Sequence, residues 1–451
     1  MTRPPNVVFV FADQWRRHAC GFWGNQDIYT PCLDRFAGES VNVVNAVSSV
    51  PVCSPYRASL LSGQRALTHG VFLNDVPWEP RGVTLGEAFA RAGYATGYVG
   101  KWHVDGHGRD SYIPPERRRG FSYWKVRECT HNYWHSMYYD GNDPERKFWE
   151  GYDAYSQTEA AIDFIRRQQS EPFFLILSWG PPHNPYETAP PEWQAYYAQR
   201  GITLPPNVPS SVAEQSMAQL RGYYAHCSAL DASFGRLLEA IEEQGIADDT
   251  IVVFTSDHGD MLGAHGLQRK QWPHAESIRV PFLLRYPRLL GRERKEVPAF
   301  LDACDVMPTL LGLAGLPIPA GVEGRDVSGF IAGREPDPTN GRALIACYHP
   351  FGEFARRRGE REYRGIVTSE YTYVETLDGP WLLFDDRNDP FQLHNLVHDP
   401  EAGAVRHRLS RELKMLLDQT NDSFLPGMEY VRQWGYEVNA DETVPCPSRT
   451  G

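Results

Sequence analysis

The sequence lacks several features that would place it in a special class of protein. The first apolar run, Val7 to Ala12, is far too short to cross a bilayer, which takes about 20 residues. The sequence also shows no signal-peptide pattern, which would be a charged leader followed by a long apolar stretch and a small-residue cleavage site. Lys and Arg number 45 against 57 Asp and Glu, and the formal net charge of −12 argues against a nucleic-acid binder. These absences predict a cytoplasmic protein that binds neither membranes nor nucleic acids.

Cysteine is scarce for the length, with eight residues in 451 and no Cys-x-x-Cys pair. Wide, irregular spacing without a signal peptide predicts reduced thiols rather than a disulfide framework. All but Cys53 are expected to be small buried residues. No heptad pattern is visible, which leaves the oligomeric state open. The eight cysteines are Cys20, Cys32, Cys53, Cys129, Cys227, Cys304, Cys347 and Cys446.

The order of apolar runs predicts an α/β fold with a large, mostly parallel sheet sandwiched between helices. Buried strands are expected at residues 6–11, 95–99, 173–178, 250–255 and 280–285. Between these strands, capping boxes at residues 84–87 and 156–159 predict two helices, the second of which ends near Gln169. The apolar periodicity of residues 216–244 predicts a third, long helix. Ligands bind outside the carboxyl ends of such strands. That rule points to Asp13, Lys101, His183 and Asp257.

The pattern changes after about residue 334, where the Pro-, Gly- and charge-rich segment 333–341 predicts a linker. Short strands are expected beyond it at 343–347, 364–368, 371–375 and 381–384, and a helix at 403–418. We therefore predict a catalytic α/β domain over residues 1–335. A smaller C-terminal subdomain with an antiparallel sheet and a helix would cover residues 336–451.

The segment around Cys53 carries the strongest chemical signal. Ser54 and Pro55 can open a helix, since proline suits a position that needs no backbone donor. Cys53 would then lie at the positive end of that helix, with Arg57 one turn further on. Free amides and the helix dipole stabilise a thiolate or a bound oxyanion at such a position.

Cys53, Pro55, Arg57 and Gly63 match the sulfatase signature, Cys-x-Pro-x-Arg followed by glycine six residues later. Tyr56 stands where that family usually has a small residue. The chain resembles the type I sulfatases of the alkaline phosphatase superfamily in order from about residue 6 to residue 397. Further matching positions are Asp13, Pro31, Leu33, Asp34, His69, Gly70, Asn74, Gly100, Lys101, His103, Pro182, His183, Pro185, Ser256, Asp257, Gly259, His265, Gly266, Lys270, Arg279, Pro281, Asp389, Pro390, Asn395 and Leu396.

The resemblance implies that a formylglycine-generating enzyme oxidises Cys53 and that a sulfate monoester, small or saccharide, is hydrolysed there. In that mechanism the hydrated aldehyde attacks sulfur, His183 protonates the leaving oxygen, and His103 deprotonates the second hydroxyl so that sulfate leaves. Arg57, Lys101 and Lys270 would balance charge on the sulfuryl oxygens. The implied substrate-binding residues are Asn74, Lys101, His183 and Lys270. The implied ligands of one divalent metal are Asp13, Gln14, Cys53, Asp257 and His258.

Asp-Gln and Asp-His pairs at the metal positions leave two questions open. We favour Ca²⁺, which prefers oxygen ligands, with Mn²⁺ second because His258 offers nitrogen. The same pairs occur in related phosphonate monoester hydrolases, so a phosphonate monoester or phosphodiester hydrolase is the alternative activity. A non-catalytic protein that binds sulfated ligands is a third possibility, disfavoured by the near-complete set of polar site residues.

Aromatic residues are concentrated in segment 121–139, and they permit two interpretations. The first is packing beneath an insertion, which we slightly prefer. The second is a substrate wall on which a sugar or aryl group stacks. Four histidines without motif support, namely His107, His131, His135 and His226, are expected to be structural.

Overall fold

The computed structural model describes residues 3–168 and 171–445. The predicted helix end near Gln169 and the residue Cys446 lie outside these ranges. No helix within them is long and apolar enough to span a membrane. The seven cysteines that the structure describes are unpaired.

A large sheet forms the centre of the molecule. Within the described residues its strand order is β10-β2-β9-β8-β1-β7-β3-β4-β5-β6. The central neighbours β8, β1, β7, β3 and β4 run parallel, whereas β9, β5 and β6 pair antiparallel with their neighbours. The strands are β1 Asn6–Asp13, β2 Val41–Val43, β3 Ala95–Lys101, β4 Tyr123–Arg127, β5 Met137–Asp140, β6 Lys147–Phe148, β7 Phe173–Pro182, β8 Thr250–Ser256, β9 Phe282–Arg285 and β10 Lys295–Val297.

Helices cover both faces of this sheet, as the alternation of side chains in β1 requires. Val7, Phe9 and Phe11 pack into a core built with α2, α4 and α10, and Val8 and Val10 pack on the opposite face with α1, α5 and α7. The α-helices are α1 Pro31–Gly38, α2 Cys53–Ser62, α3 Ala66–His69, α4 Leu85–Arg91, α5 Asp153–Arg167, α6 Pro191–Ala198, α7 Ala213–Glu243, α8 Ala275–Ile278, α9 Pro287–Leu290, α10 Ala303–Ala314, α11 Ser328–Ile331, α12 Gly403–Gln419 and α13 Gly427–Trp434.

A second, antiparallel sheet follows in the chain, with strand order β11-β12-β13-β14. One face packs on residues of the large-sheet unit such as Ile278 and Phe300, and the other is covered by α12 through Leu409 and Leu413. This confirms the predicted fold class, while the domain boundary between residues 335 and 336 stays a prediction. The strands are β11 Arg342–Cys347, β12 Tyr363–Thr368, β13 Tyr371–Thr376 and β14 Gly379–Asp385.

One of the two predicted capping boxes is wrong. Thr84 caps α4, with its side chain accepting from the amide of Glu87 and the carboxylate of Glu87 accepting from the amide of Thr84. Ser156, however, lies inside α5, which begins at Asp153. The hydroxyl of Ser156 donates to the carbonyl of Glu150 instead. A capping sequence therefore starts a helix only where the chain has not already turned helical upstream.

Candidate active site

The carboxyl ends of four parallel strands bring the predicted polar residues to one edge of the sheet. Asp13 and Lys101 are the last residues of β1 and β3, and His183 and Asp257 directly follow β7 and β8. Because β8, β1, β7 and β3 are neighbours, these side chains meet although the chain separates them widely. Asp13 and Asp257 are fully buried, and Lys101 and His183 nearly so.

Helix α2 points its first turn at the same edge. Cys53 is its first residue, and Val52 at the N-cap provides no side-chain cap. The amide of Ser54 donates to Asn74 Oδ1 at 3.1 Å, and Pro55 has no N–H to leave unpaired. The first turn therefore presents the positive end of the helix to Cys53, as the sequence predicted.

Three groups surround the sulfur of Cys53. Lys270 Nζ lies 3.2 Å from Sγ, His258 Nε2 3.3 Å and Asp13 Oδ1 3.6 Å. Burial and Asp13 would raise the pKa of the Cys53 thiol, but the cations Lys101 and Lys270 hold it well below its usual value. The position thus favours an anion, and Sγ stands where an oxygen of a modified Cys53 would lie.

Arg57 ties the two acidic strand ends together. Its Nη2 lies 3.1 Å from an oxygen of Asp13 and 3.1 Å from an oxygen of Asp257, while Nη1 donates to Ser178 and to the carbonyl of Lys101. Lys101 Nζ adds a contact of 2.6 Å to Asp13. Burial alone would raise the pKa of Asp13, but Lys101 and the neighbouring cations hold it well below its ordinary value.

The donor set beside Cys53 suits a divalent metal. One ligand atom each from Asp13, Cys53, Asp257 and His258 lie within 4.8 Å of one another. His258 Nδ1 must donate to the carbonyl of Gly259 at 2.9 Å, so the lone pair of Nε2 faces the cluster. Gln14 Nε2 donates to Asp260 at 2.6 Å, which turns Oε1 inward. Carboxylate oxygens with one imidazole nitrogen fit such an ion, and four of the five predicted ligands lie together, while Gln14 Oε1 accepts from Lys270 Nζ at 3.2 Å.

Lys270 and His183 form a pair on the other side of Cys53. His183 Nδ1 faces the carbonyl of Asn184 at 2.9 Å and therefore carries the proton, so Nε2 accepts from Lys270 Nζ at 2.8 Å. Burial and the charge of Lys270 hold the pKa of His183 well below its usual value. The ring of His131 stacks on His183 with centroids 4.7 Å apart and planes 11° apart. His131, which the sequence analysis expected to be structural, also lines the pocket through this ring.

His103 follows β3 and lies beside residues that the sequence analysis missed. Its Nε2 is 3.4 Å from Asp75 Oδ1, and Arg109 binds the same carboxylate through two contacts of 3.0 and 2.7 Å. Asp75 directly follows the predicted residue Asn74, but nothing in the local pattern distinguished it. Arg109 comes from a loop with no motif, so no sequence signal pointed to it.

These groups line a pocket of about 620 Å³. One wall comes from the C-terminal part of the chain, through Phe351, Gly352, Glu353, Asn439, Thr443, Val444 and Pro445. The aromatic segment 121–139 contributes no aromatic side chain except the His131 ring to this wall, and its residues Trp124 and Tyr133 are buried in the cores. The packing interpretation of that segment therefore holds.

Comparison with known proteins gives consistent matches along the chain. The model of the sulfatase family matches residues 5–316, and a model described as N-sulphoglucosamine sulphohydrolase, C-terminal, matches residues 263–419. The chain is 41% identical over 437 residues to the ulvan-active sulfatase of Formosa agariphila, covering 96% of this chain and 84% of that protein. It is 30% identical to the endo-4-O-sulfatase of Bacteroides thetaiotaomicron, covering 93% and 92%. The solved yidJ structure from Bacteroides fragilis superposes with a TM-score of 0.85 at 29% identity, covering 96% and 98%.

Proposed function

The chain belongs to the sulfatase family and hydrolyses sulfate esters, and we propose that it acts on sulfated saccharides with formylglycine at position 53. One observation carries the proposal for the nucleophile. Cys53 lies at the start of a helix, buried, with Lys101 and Lys270 making its position favour an anion. Buried Cys227 has no such surroundings, and its pKa is raised. The pKa of Cys129 is also lowered, but no helix begins at that residue.

A saccharide substrate is supported by the pocket and by the relatives. One relative is named an ulvan-active sulfatase and another an endo-4-O-sulfatase. The pocket of about 620 Å³ lies within the range of small-ligand sites, and its wall offers polar groups from Asn74, Arg109, Asn439 and Thr443. Several polar groups on an open wall suit the hydroxyls of a sugar better than the flat face of an aryl sulfate.

A maturation enzyme of the formylglycine-generating type would act on Cys53, and a divalent metal would complete the site. We propose Ca²⁺, with Mn²⁺ second, held by Asp13, Gln14, Asp257, His258 and the modified residue 53. When bound, the metal supplies a Lewis acid, and the hydrated aldehyde supplies a nucleophilic hydroxyl. The cytoplasmic location stays a prediction.

The protein's own residues would then bind the sulfuryl group and move protons. Arg57 holds the two metal-binding carboxylates in place, and Lys101 and Lys270 would offset the charge of the sulfuryl oxygens. The leaving oxygen would receive its proton from the His183–Lys270 pair, which holds one between Nε2 and Nζ. His103, which lines the same pocket, would accept a proton at the ring when sulfate is released.

The first experiment is mass spectrometry of the tryptic peptide from Phe36 to Arg57, taken from protein made together with a formylglycine-generating enzyme. We expect the mass of an aldehyde at position 53. The modified protein should release sulfate from sulfated oligosaccharides of ulvan, and Cys53→Ala should reduce that rate by at least about 10⁴-fold. Hydrolysis that survives Cys53→Ala would refute the proposed nucleophile.

A parallel assay separates the alternative activity. An aryl sulfate and an aryl phosphonate are compared by kcat/KM on the same modified protein. We expect the sulfate to be preferred, since the Formosa and Bacteroides relatives are sulfatases. A preference for the phosphonate would instead support the phosphonate monoester hydrolase activity that the Asp-Gln and Asp-His pairs left open.

A further inference from the structure

We propose that Asp75, held in place by Arg109, is a positioning residue that fixes the ring of His103 for proton transfer. The inference rests on the proposed role of His103 in sulfate release, and it adds residues that neither the motif nor the comparisons assign. Asp75 lines the pocket beside His103, and its effect on the reaction passes through that ring.

Asp75 is held between His103 and Arg109, an arrangement that we call the clamp. Asp75 Oδ1 lies 3.4 Å from His103 Nε2, and Arg109 contacts both carboxylate oxygens in a two-point arrangement. The side chain of Asp75 is 9% exposed and that of His103 2% exposed, so little water competes for these contacts. Two-point Arg–carboxylate pairs restrict the orientation of the carboxylate, which makes Asp75 a rigid acceptor.

The backbone supports the same interpretation. Asp75 and His103 both adopt left-handed conformations, with φ of 65° and 60°. Non-glycine residues in that region are uncommon and cost free energy, which is retained mainly where a particular side-chain direction is needed. Here the two unusual residues point at each other across the pocket wall.

The carboxylate has a definite chemical effect on the imidazole. Because a carboxylate can only accept, Asp75 at an ion-pair distance of 3.4 Å favours a proton on Nε2, the ring nitrogen that faces it. Nδ1 then becomes the basic atom of neutral His103. An asparagine in place of Asp75 could donate as well as accept, so it would no longer select one tautomer.

Other charged groups also face His103. Burial lowers the pKa of this ring, but Cys129 and Asp75 outweigh it, so the pKa of His103 is raised well above its usual value although Lys101 opposes them. Glu128, whose pKa burial raises to about 8, is a further neighbour. Cys129, whose pKa His103 and Lys101 lower to about 6 against the effect of burial, completes the set. A base with a raised pKa becomes active only as the pH increases.

The direct test uses the unmodified, cysteine-containing protein and does not depend on turnover. Selective ¹⁵N labelling of histidine, with His103→Gln to assign the signal, reports the tautomer and the titration midpoint of His103 by NMR. In the wild-type protein we expect the proton on Nε2 above the midpoint. In Asp75→Asn we expect a midpoint lower by about 1–3 pH units, and in Asp75→Glu a midpoint closer to wild type.

The matched control is Asp110→Asn, which removes an exposed carboxylate that pairs with Arg127. We expect it to leave the His103 signal unchanged. A wild-type proton on Nδ1 would overturn the proposal without any variant, which covers the case of a variant that fails to fold. An unchanged midpoint in folded Asp75→Asn would overturn it as well.

The pH dependence of kcat tests whether the clamp affects the reaction. With 4-nitrophenyl sulfate as the probe, we expect the acid limb of the kcat profile of modified Asp75→Asn to move to lower pH while KM changes less than twofold. A uniform loss of kcat at every pH would indicate a merely structural role for Asp75. If modified wild-type protein showed no turnover, the proposed function would fail. The proposal for Asp75 would still be tested, because the NMR experiment needs no turnover.

Discussion

Arg57 is the single residue on which most of the site's charge arrangement depends. Its guanidinium contacts Asp13, Asp257, Ser178 and a main-chain carbonyl at once, which the point charge of lysine cannot reproduce. We therefore expect Arg57→Lys to lower kcat/KM for sulfate release by about 10²–10³-fold. Arg35→Lys, an exposed exchange on α1, is the control and should change kcat/KM less than twofold. Comparable effects of the two exchanges would contradict this account of Arg57.

His131 offers a second prediction at this scale. Its ring stacks on His183 and accepts no proton near neutral pH, because burial and Lys101 lower its pKa to about 3. The stack should therefore matter as a surface, not as a charge. We expect His131→Ala to lower kcat by about 2–12-fold, the equivalent of 0.5–1.5 kcal/mol for an aromatic pair. His131→Phe keeps the ring and should stay within twofold of wild type. Equal losses in both variants would show that a nitrogen of His131 is required.

The residues that could be predicted share a local signal, and the others do not. Asp13, Lys101, His183 and Asp257 each follow an apolar run, so the general rule for strand ends located them before any motif was considered. Asp75 and Arg109 lie in loops. Asp75 is 28 residues from His103 along the chain, and Arg109 is 34 residues from Asp75. Such pairings depend on how loops pack, which no periodic pattern records.

At the scale of elements, the buried pair Arg364–Asp422 joins β12 to the start of the segment that leads into α13. Arg364 is fully buried, forms a two-point contact with Asp422, and lies over the rings of Tyr348 and Phe424. Removing one partner would leave a buried charge without compensation. We expect Asp422→Asn to lower the free energy of unfolding by about 3–5 kcal/mol in urea titrations. Asp418→Asn, an exposed exchange on α12, should change it by less than about 0.5 kcal/mol.

The same pair gives a pH dependence with a definite sign. Burial would raise the pKa of Asp422, but the charge of Arg364 outweighs it and the pKa is lowered. A lowered pKa means that this contribution to stability is complete above the unfolded-state value of about 3.9 and is lost as the pH falls through the folded-state value. Wild type should therefore lose stability below about pH 4 more steeply than Asp422→Asn. Parallel pH profiles of the two proteins would contradict the ion pair.

Element boundaries show where local pattern is sufficient. Buried strands such as β1 and β8 were predicted within two residues, because a short continuous apolar run in an α/β chain is typical of a strand covered on both faces. The start of α5 was missed because Asp153 accepts from the amide and hydroxyl of Ser136, 17 residues earlier in the chain. That contact fixes the first turn before Ser156 is reached. Tertiary contacts of this kind override capping sequences.

For the whole molecule, the formal charge of −12 and the site have opposite signs. Three buried cations, Arg57, Lys101 and Lys270, face two buried carboxylates, so the pocket favours an anion although the surface as a whole repels one. Composition could not reveal this, since the cations lie far apart in the sequence. A binding site for a sulfate ester is thus a property of the fold and not of the overall charge.

The molecule as a whole also decides how long a substrate the site can take, because the pocket wall comes from the C-terminal segment. Asn439 Oδ1 accepts from the amides of Asp441 and Thr443 and from the hydroxyl of Thr443, and this turn places Thr443 against the pocket. We expect Asn439→Ala to raise KM for a sulfated oligosaccharide about 3–10-fold, since each lost hydrogen bond contributes about 0.5–1.5 kcal/mol. The kcat for 4-nitrophenyl sulfate, which lacks the additional sugar units of an oligosaccharide, should stay within twofold. Glu437→Ala, an exposed exchange nearby, is the control. If Asn439→Ala changed kcat for the small ester as much as KM for the oligosaccharide, the segment would support the catalytic groups themselves and would not select the substrate by length.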